Sequence, residues 1–248
     1  MANSVSFNLT DLSTYGLSIK SSNAHVLKQV LFSIQVKDRA YSTGYQLPAR
    51  LINLGIAVIG TSTSDVITKL DNIKKTIATE TSHQLILDVI TTRYFNAQLE
   101  DIDGALTAPA VWEGSLSFLC VDPLAYSTSE TSSDFNIDAD PDTVIEAVGG
   151  TGLVNPVYTL TAGGTLSAIT LKVENVTTDE ELQWTGSLVD TDEIEIDVEN
   201  WIVKKNSVAD MATVTGQFPR LTPGNNSIKV TAFSTTGTMN IKYRDTYK

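Results

Sequence analysis

The feature that most restricts what this chain can build is a recurring alternation of apolar and polar residues over short runs. In residues 192–200, DEIEIDVEN, the apolar Ile194, Ile196 and Val198 fall on one side. Glu193, Glu195, Asp197 and Glu199 fall on the other. Residues two apart share a face only in an extended strand, so this segment predicts a strand with one dry and one wet face. VSFNL (5–9), GLSIKS (16–21), VLFSIQV (30–36), LINLGIAVIG (51–60), LILDVI (85–90), RYFNAQLE (93–100) and WEGSLSFLC (112–120) also read as strands. After them come VYTLTA (157–162), AITLKVEN (168–175), ELQWTGS (181–187), WIVKK (201–205), NSIKVTAF (226–233) and TMNIKYRD (238–245). Gly and Asn turns punctuate this second series at the spacing of a sandwich. The chain reads as mainly β.

One segment departs from that period. In SDVITKLDNIKKTIAT, Val66, Ile67, Leu70, Ile73 and Ile77 recur at helical spacing, with Lys69, Asp71, Lys74 and Lys75 opposite. A helix is predicted over 64–79, started by Ser62 or Ser64, with Asp65 favourable in its first turn. Its apolar stripe is expected to lie on a sheet.

Asp122-Pro123 ends the strand that carries Cys120, because proline cannot donate to a central ladder. The tract that follows, STSETSSDFNIDADPDT (127–143), is polar and acidic and reads as a linker or long exposed loop. A boundary is therefore expected near 125, giving domains 1–125 and 126–248. Charge divides there too. Residues 1–125 hold 11 acidic and 9 basic side chains, a balance of −2; residues 126–248 hold 18 and 8, a balance of −10. Neither half has the basic stripe a nucleic-acid binder needs, so no sequence-specific nucleic-acid contact is expected. The near-neutral first half suits packing against protein, and the acidic second half suits water. No apolar run approaches a membrane span. MANSVSFNLT has no basic segment leading into an apolar one, so secretion by signal peptide is not expected.

Candidate chemistry is sparse. The single cysteine, Cys120, reads as a small buried hydrophobe. His25 and His83 lack partners at zinc spacing. Asp138, Asp140 and Asp142 have the spacing that opens a calcium loop, but Thr143 and Gly149 stand where an EF-hand needs glycine and glutamate. The acidic row of 190–199 points outward from a strand and forms no cleft-spanning pair. No catalytic, cofactor or metal residue is nominated, and no enzyme is expected. Trp184, Trp201 and Tyr158 are either core packing or a platform on which a sugar could stack.

The order of motifs carries the rest. FNLTDLSTYGLSIK (7–20) precedes VKDRAYSTGYQLPARLINLGIAVIGTSTSDVITKLDNIKKTI (36–77). RYFNAQLEDID (93–103), WEGSLSFLCVDPLAYS (112–127), FPRLTPGNNSIKV (218–230) and IKYRDTYK (241–248) follow. Phe118-x-Cys120-x-Asp122-Pro123-x-x-Tyr126 and Phe218-Pro219-x-Leu221-x-Pro223-Gly224-x-Asn226 are its most telling pieces. The series resembles the distal tail protein (Dit) family of siphophages over essentially the whole chain.

That resemblance implies an N-terminal split β-barrel with one flanking helix and a C-terminal galectin-like β-sandwich. It implies a structural virion protein of the phage tail tip, made in the host cytoplasm. Such proteins form a homo-hexameric ring that joins the tail tube protein to the tail-associated lysin or tip protein, and often anchor receptor-binding proteins. Lys37-Asp38-Arg39-Ala40 departs from the family's usual early loop, in a segment expected to reach a neighbouring subunit. The alternative is a carbohydrate-binding module that attaches the phage to host surface glycans through Trp184, Trp201 or Tyr158. Phe118 and Cys120 are expected in the core, with Asp122 accepting local N–H groups and Tyr126 bracing the exit.

Overall fold

A computed structural model describes residues 5–22, 30–36, 39–46, 48–233 and 236–248, with the backbone alone of 21–22, 30–36 and 39–46. His25 and the Lys37-Asp38 part of the early loop lie outside the described residues. The fold is mainly β, with antiparallel sheets and one described α-helix. It divides into two compact units, Met1–Thr128 with Lys248, and Ser129–Tyr247.

In the first unit the strands are β1 (Val5–Phe7), β2 (Thr10–Asp11), β3 (Leu17–Ser22), β4 (Val30–Val36), β5 (Arg39–Gln46) and β6 (Arg50–Ile59). Helix α1 (Thr63–Ile77) comes next, then β7 (His83–Leu87), β8 (Arg93–Ala108), β9 (Val111–Cys120) and β10 (Ala125–Ser127). The main sheet runs β2-β1-β7-β8-β9-β6-β3, with β10 also paired to β8. Strands β4 and β5 pair with each other in a separate hairpin. In β6 the alternation is plain: Ile52, Leu54, Ile56 and Val58 are buried, whereas Leu51 and Asn53 are not.

Helix α1 packs on β6 and β9 and on the single turn Leu12–Tyr15. Ser62 caps it, its Oγ accepting from Asp65 N at 3.2 Å, while Asp65 Oδ2 accepts from Thr61 N at 2.7 Å. That backbone donor first, and Lys69 second, hold the Asp65 carboxyl below its ordinary pKa. Val66, Ile73 and Ile77 are buried on the inner face. Ile67, expected in the same stripe, is 49 % exposed. It stands one residue, or about 100°, away from Val66, which turns it off the sheet.

The second unit contains β11 (Thr131–Ile137), β12 (Asp142–Val148), β13 (Val157–Thr161), β14 (Leu166–Asn175), β15 (Glu180–Leu188) and β16 (Glu193–Asp197). Then follow β17 (Ile202–Lys205), β18 (Val208–Ala209), β19 (Val214–Gly216), β20 (Gly224–Thr231) and β21 (Gly237–Tyr243). One sheet runs β11-β21-β13-β16-β17-β18 and the other β12-β20-β14-β15-β19. Their inner faces share one core: Tyr158, Ile194, Ile196 and Ile241 from the first, Leu171, Leu182, Trp184 and Val230 from the second. This is a two-layer sandwich.

The polar tract 127–143, expected as a linker, is largely strand. Strands β11 and β12 flank the two-layer core, each pairing with one neighbour, β21 and β20. Their alternation hides because Glu146 occupies an inner position while Ile145 faces out, 55 % exposed. Glu146 is satisfied inside: its Oε1 accepts from Tyr243 OH at 2.7 Å and Ser133 Oγ at 3.1 Å. An inward carboxylate on an outermost strand also discourages pairing with a stray chain.

Candidate functional site

Among the described residues, two motif clusters, an aromatic groove and a pair of open sheet edges in the first unit stand out. The first cluster closes β9. Phe118 and Cys120 are fully buried, as expected, and Phe118 packs on Phe7 at 5.4 Å between ring centroids. Cys120 faces Arg50 across the β6–β9 ladder, and the Arg50 guanidinium lies 5.1 Å from the Phe95 ring. Past the strand end, Asp122 Oδ1 accepts from Leu124 N at 3.1 Å and Oδ2 accepts from the Tyr126 hydroxyl. Tyr126 also stacks on Tyr94, with 5.6 Å between centroids. Cys-x-Asp-Pro-x-x-Tyr is thus a turn fixed by its own side chains: proline ends the ladder, aspartate gathers the freed donors, tyrosine locks the return.

Burial pushes the Cys120 thiol up to about 12. At pH 8 almost no thiolate forms, so a disulfide-exchange reagent is expected to leave the native chain unlabelled and to titrate one thiol after unfolding. Prompt native labelling would place Cys120 at the surface.

The second cluster explains the proline motif. Pro219 O accepts from the buried Tyr158 hydroxyl at 3.0 Å, and Leu221 is buried and bridged to Val154. Gly224 takes φ +91°, a conformation that favours glycine. Asn226, fully buried, closes the loop: Oδ1 accepts from Thr222 N at 2.8 Å and Asn175 Nδ2 at 3.1 Å, and Nδ2 donates to Thr222 O at 2.8 Å and Gly224 O at 3.0 Å. Arg220 is drawn back onto Glu180, whose Oε2 accepts from Arg220 N at 2.8 Å and whose Oε1 accepts from Nε at 2.9 Å. Although burial works against it, these Arg220 contacts hold the Glu180 carboxyl below its ordinary pKa.

The structure separates the three aromatic candidates. Trp184 is 1 % exposed, its Nε1 donating to Asp210 Oδ2 at 3.0 Å, and Tyr158 is fully buried. Neither can stack on a sugar; both are core. Trp201 is 72 % exposed and stacks on Phe218 at 6.2 Å.

Two of the three carboxylates with calcium-like spacing hold backbone N–H groups. Asp142 accepts from the N–H groups of Asp138 and Thr143, at 2.8 and 2.7 Å, and Asp140 accepts from Ala232 N at 2.7 Å. Glu195 pairs across the sheet with Lys204 at 2.6 Å. Among the described residues no group of three His, Cys, Asp or Glu stands together as metal ligands. His83 packs edge-on to Phe7 at 5.7 Å. No described helix is long and apolar enough to cross a membrane.

Two long edges of the first unit stand open among the described strands. From Gln98 to Ala108, β8 is paired only with β9 among the described strands, and 103–108 are exposed. At the other end of the four-strand run β8-β9-β6-β3, strand β3 has β6 as its one described neighbour. One face of this run carries Asn53, Ser115 and Ser117 together with the exposed Leu51 and Ile59, and Ser117 Oγ donates to Asn53 Oδ1 at 2.8 Å. Sequence reasoning ended β8 at 100, because DIDGALTA has no buried side for alternation to mark.

These features define a two-unit β protein whose conspicuous surfaces are sheet edges. Residues 149–247 match the family model described as siphovirus-type tail component, C-terminal domain. The whole chain has the fold of the SPP1 Dit (gp 19.1) protein, whose crystal structure is described as a paradigm of the hub adsorption apparatus in phages infecting Gram-positive hosts. That likeness covers 100% of both chains with a TM-score of 0.82 at 16% identity. Looser likenesses are to chains of the phage p2 baseplate in its activated conformation. With Sr the TM-score is 0.49 at 10% identity over 97% of each chain; with Ca it is 0.48 at 10% over 98%. No curated protein matches the chain. The family resemblance drawn from motif order is the one these findings support.

Proposed function

We propose that the chain is a distal tail hub: a structural virion protein whose six copies form a ring at the tip of the tail tube. The ring joins the tail tube protein to the tail-associated lysin or tip protein and offers attachment to receptor-binding proteins. No reaction is catalysed; the function is geometry. The observation that carries this reading is the pair of open edges flanking β8-β9-β6-β3. An exposed edge is a row of unmet backbone donors and acceptors. Two unlike edges on opposite ends of one sheet favour a head-to-tail contact, and such contacts form a ring where the rotation between copies closes. The β8 edge of one copy would pair with the β3 edge of the next, making a continuous wall.

The hairpin β4–β5 adds to this. A two-stranded ribbon is marginal alone in water, so a neighbouring copy is a natural place for it to rest. The near-neutral first half and the acidic second half fit the same division, one adhesive and one solvated.

The test is a charge on the β8 edge. Leu106, 46 % exposed, contributes little to its own unit. Leu106→Asp is expected to leave the melting temperature nearly unchanged while native mass measurement shows the ring reduced to smaller species. A ring that persists in this variant would remove β8 from the contact.

A further inference from the structure

Trp201 lies where physical chemistry would not put a tryptophan. It ends the four-residue turn between β16 and β17, with φ +57°, the left-handed region that favours glycine and is a marked outlier for a bulky side chain. The turn does not depend on the indole. Asn200 N and Nδ2 donate to Asp197 Oδ1 and Oδ2 at 3.0 and 2.7 Å, and Val198 N donates to Pro156 O at 3.1 Å. Strain and exposure of a large apolar ring both work against the fold, and strain of this kind gathers at functional sites.

The indole borders a groove of about 540 Å³, lined also by Asn155, Gln217, Phe218, Glu180 and Arg220. That volume suits a small ligand. Trp201 and Phe218 stack on each other in its wall, with 6.2 Å between ring centroids. Around the pair stand exposed Asn155 and Gln217 and the Arg220 side chain, 47 % exposed. Asn155 Nδ2 donates to Glu199 Oε2 at 2.5 Å, and Glu180 is occupied by Arg220 and by Thr178 Oγ1 at 3.3 Å. The groove therefore presents an exposed indole backed by Phe218, with carboxamide and guanidinium groups beside it.

We infer that the Trp201–Phe218 groove of the second unit is a saccharide-binding site for a pyranose-containing surface glycan. The C–H face of a pyranose would lie on the indole, and its ring hydroxyls would meet Asn155, Gln217 and Arg220. A protein partner fits less well, since a stable interface needs on the order of 800 Å² from each side and this groove is far smaller. The site does not depend on ring formation, so it can fail or stand independently of the hub reading.

The test uses the full chain on an array of pyranosyl oligosaccharides, followed by iodide quenching with each hit. Trp112 and Trp184 are 7 % and 1 % exposed, so iodide reads Trp201. At least one oligosaccharide is expected to bind and to shield Trp201, and Trp201→Gly is expected to weaken that binding about tenfold or more. Because glycine relieves the left-handed backbone, the same variant is expected to melt at the parental temperature or above it. Silence across the array, binding that survives Trp201→Gly, or shielding of Trp201 only by another tail protein would each overturn the proposal.

Discussion

Ile73→Asp is expected to unfold the first unit. Ile73 is 1 % exposed at the middle of the buried face of α1, between Val66 and Ile77. The change forfeits about 2 kcal/mol of apolar burial and sets a carboxylate where no partner awaits it. The combined cost, roughly 5 kcal/mol or more, rivals the whole stability of an ordinary domain. Hydrogen exchange in β6 and β9 should rise to near-unprotected rates, with loss of any assembled species. Protection equal to that of the parent would show that α1 presents another face to the sheet.

Asn226→Ala is the second large effect, in the other unit. The amide answers Thr222 on both its N–H and C=O, and also meets Asn175, which is itself fully buried. Truncation leaves buried donors and an acceptor unmet, each costing about 1–3 kcal/mol where water cannot enter. We expect a loss of about 3 kcal/mol, or roughly 10 °C in the second unit's melting temperature. Since Pro219 and Arg220 belong to the same loop, Trp201–Phe218 stacking should loosen with it. A melting temperature within a degree of the parent would contradict the part assigned to Asn226 in holding this loop.

What was legible in the sequence was whatever leaves a periodic mark. Strand β6 and the stripe Val66, Ile73, Ile77 write their burial directly into residue order. Strand β12 does not, because Glu146 points inward to Tyr243 and Ile145 points out. The far half of β8 has no inner side at all, so its strand character rests on pairing with β9 alone. Trp184 shares the inward parity of Leu182 and Leu188, but the sequence left core and sugar platform open until its burial decided for core. Trp201 is exposed at a turn where its φ is positive, which parity cannot reach. The motif of 218–226 was recognisable as a proline-constrained loop, but the burial of Asn226 depends on Asn175, which is distant in sequence.

The central claim is that the first unit pairs its open sheet edges with copies of itself. Mass measurement by light scattering, together with negative-stain imaging of the purified chain alone and with its tail-tip partner, tests it most directly. The account predicts closed rings of six copies. A chain that stays single at every concentration and in the partner's presence would contradict it.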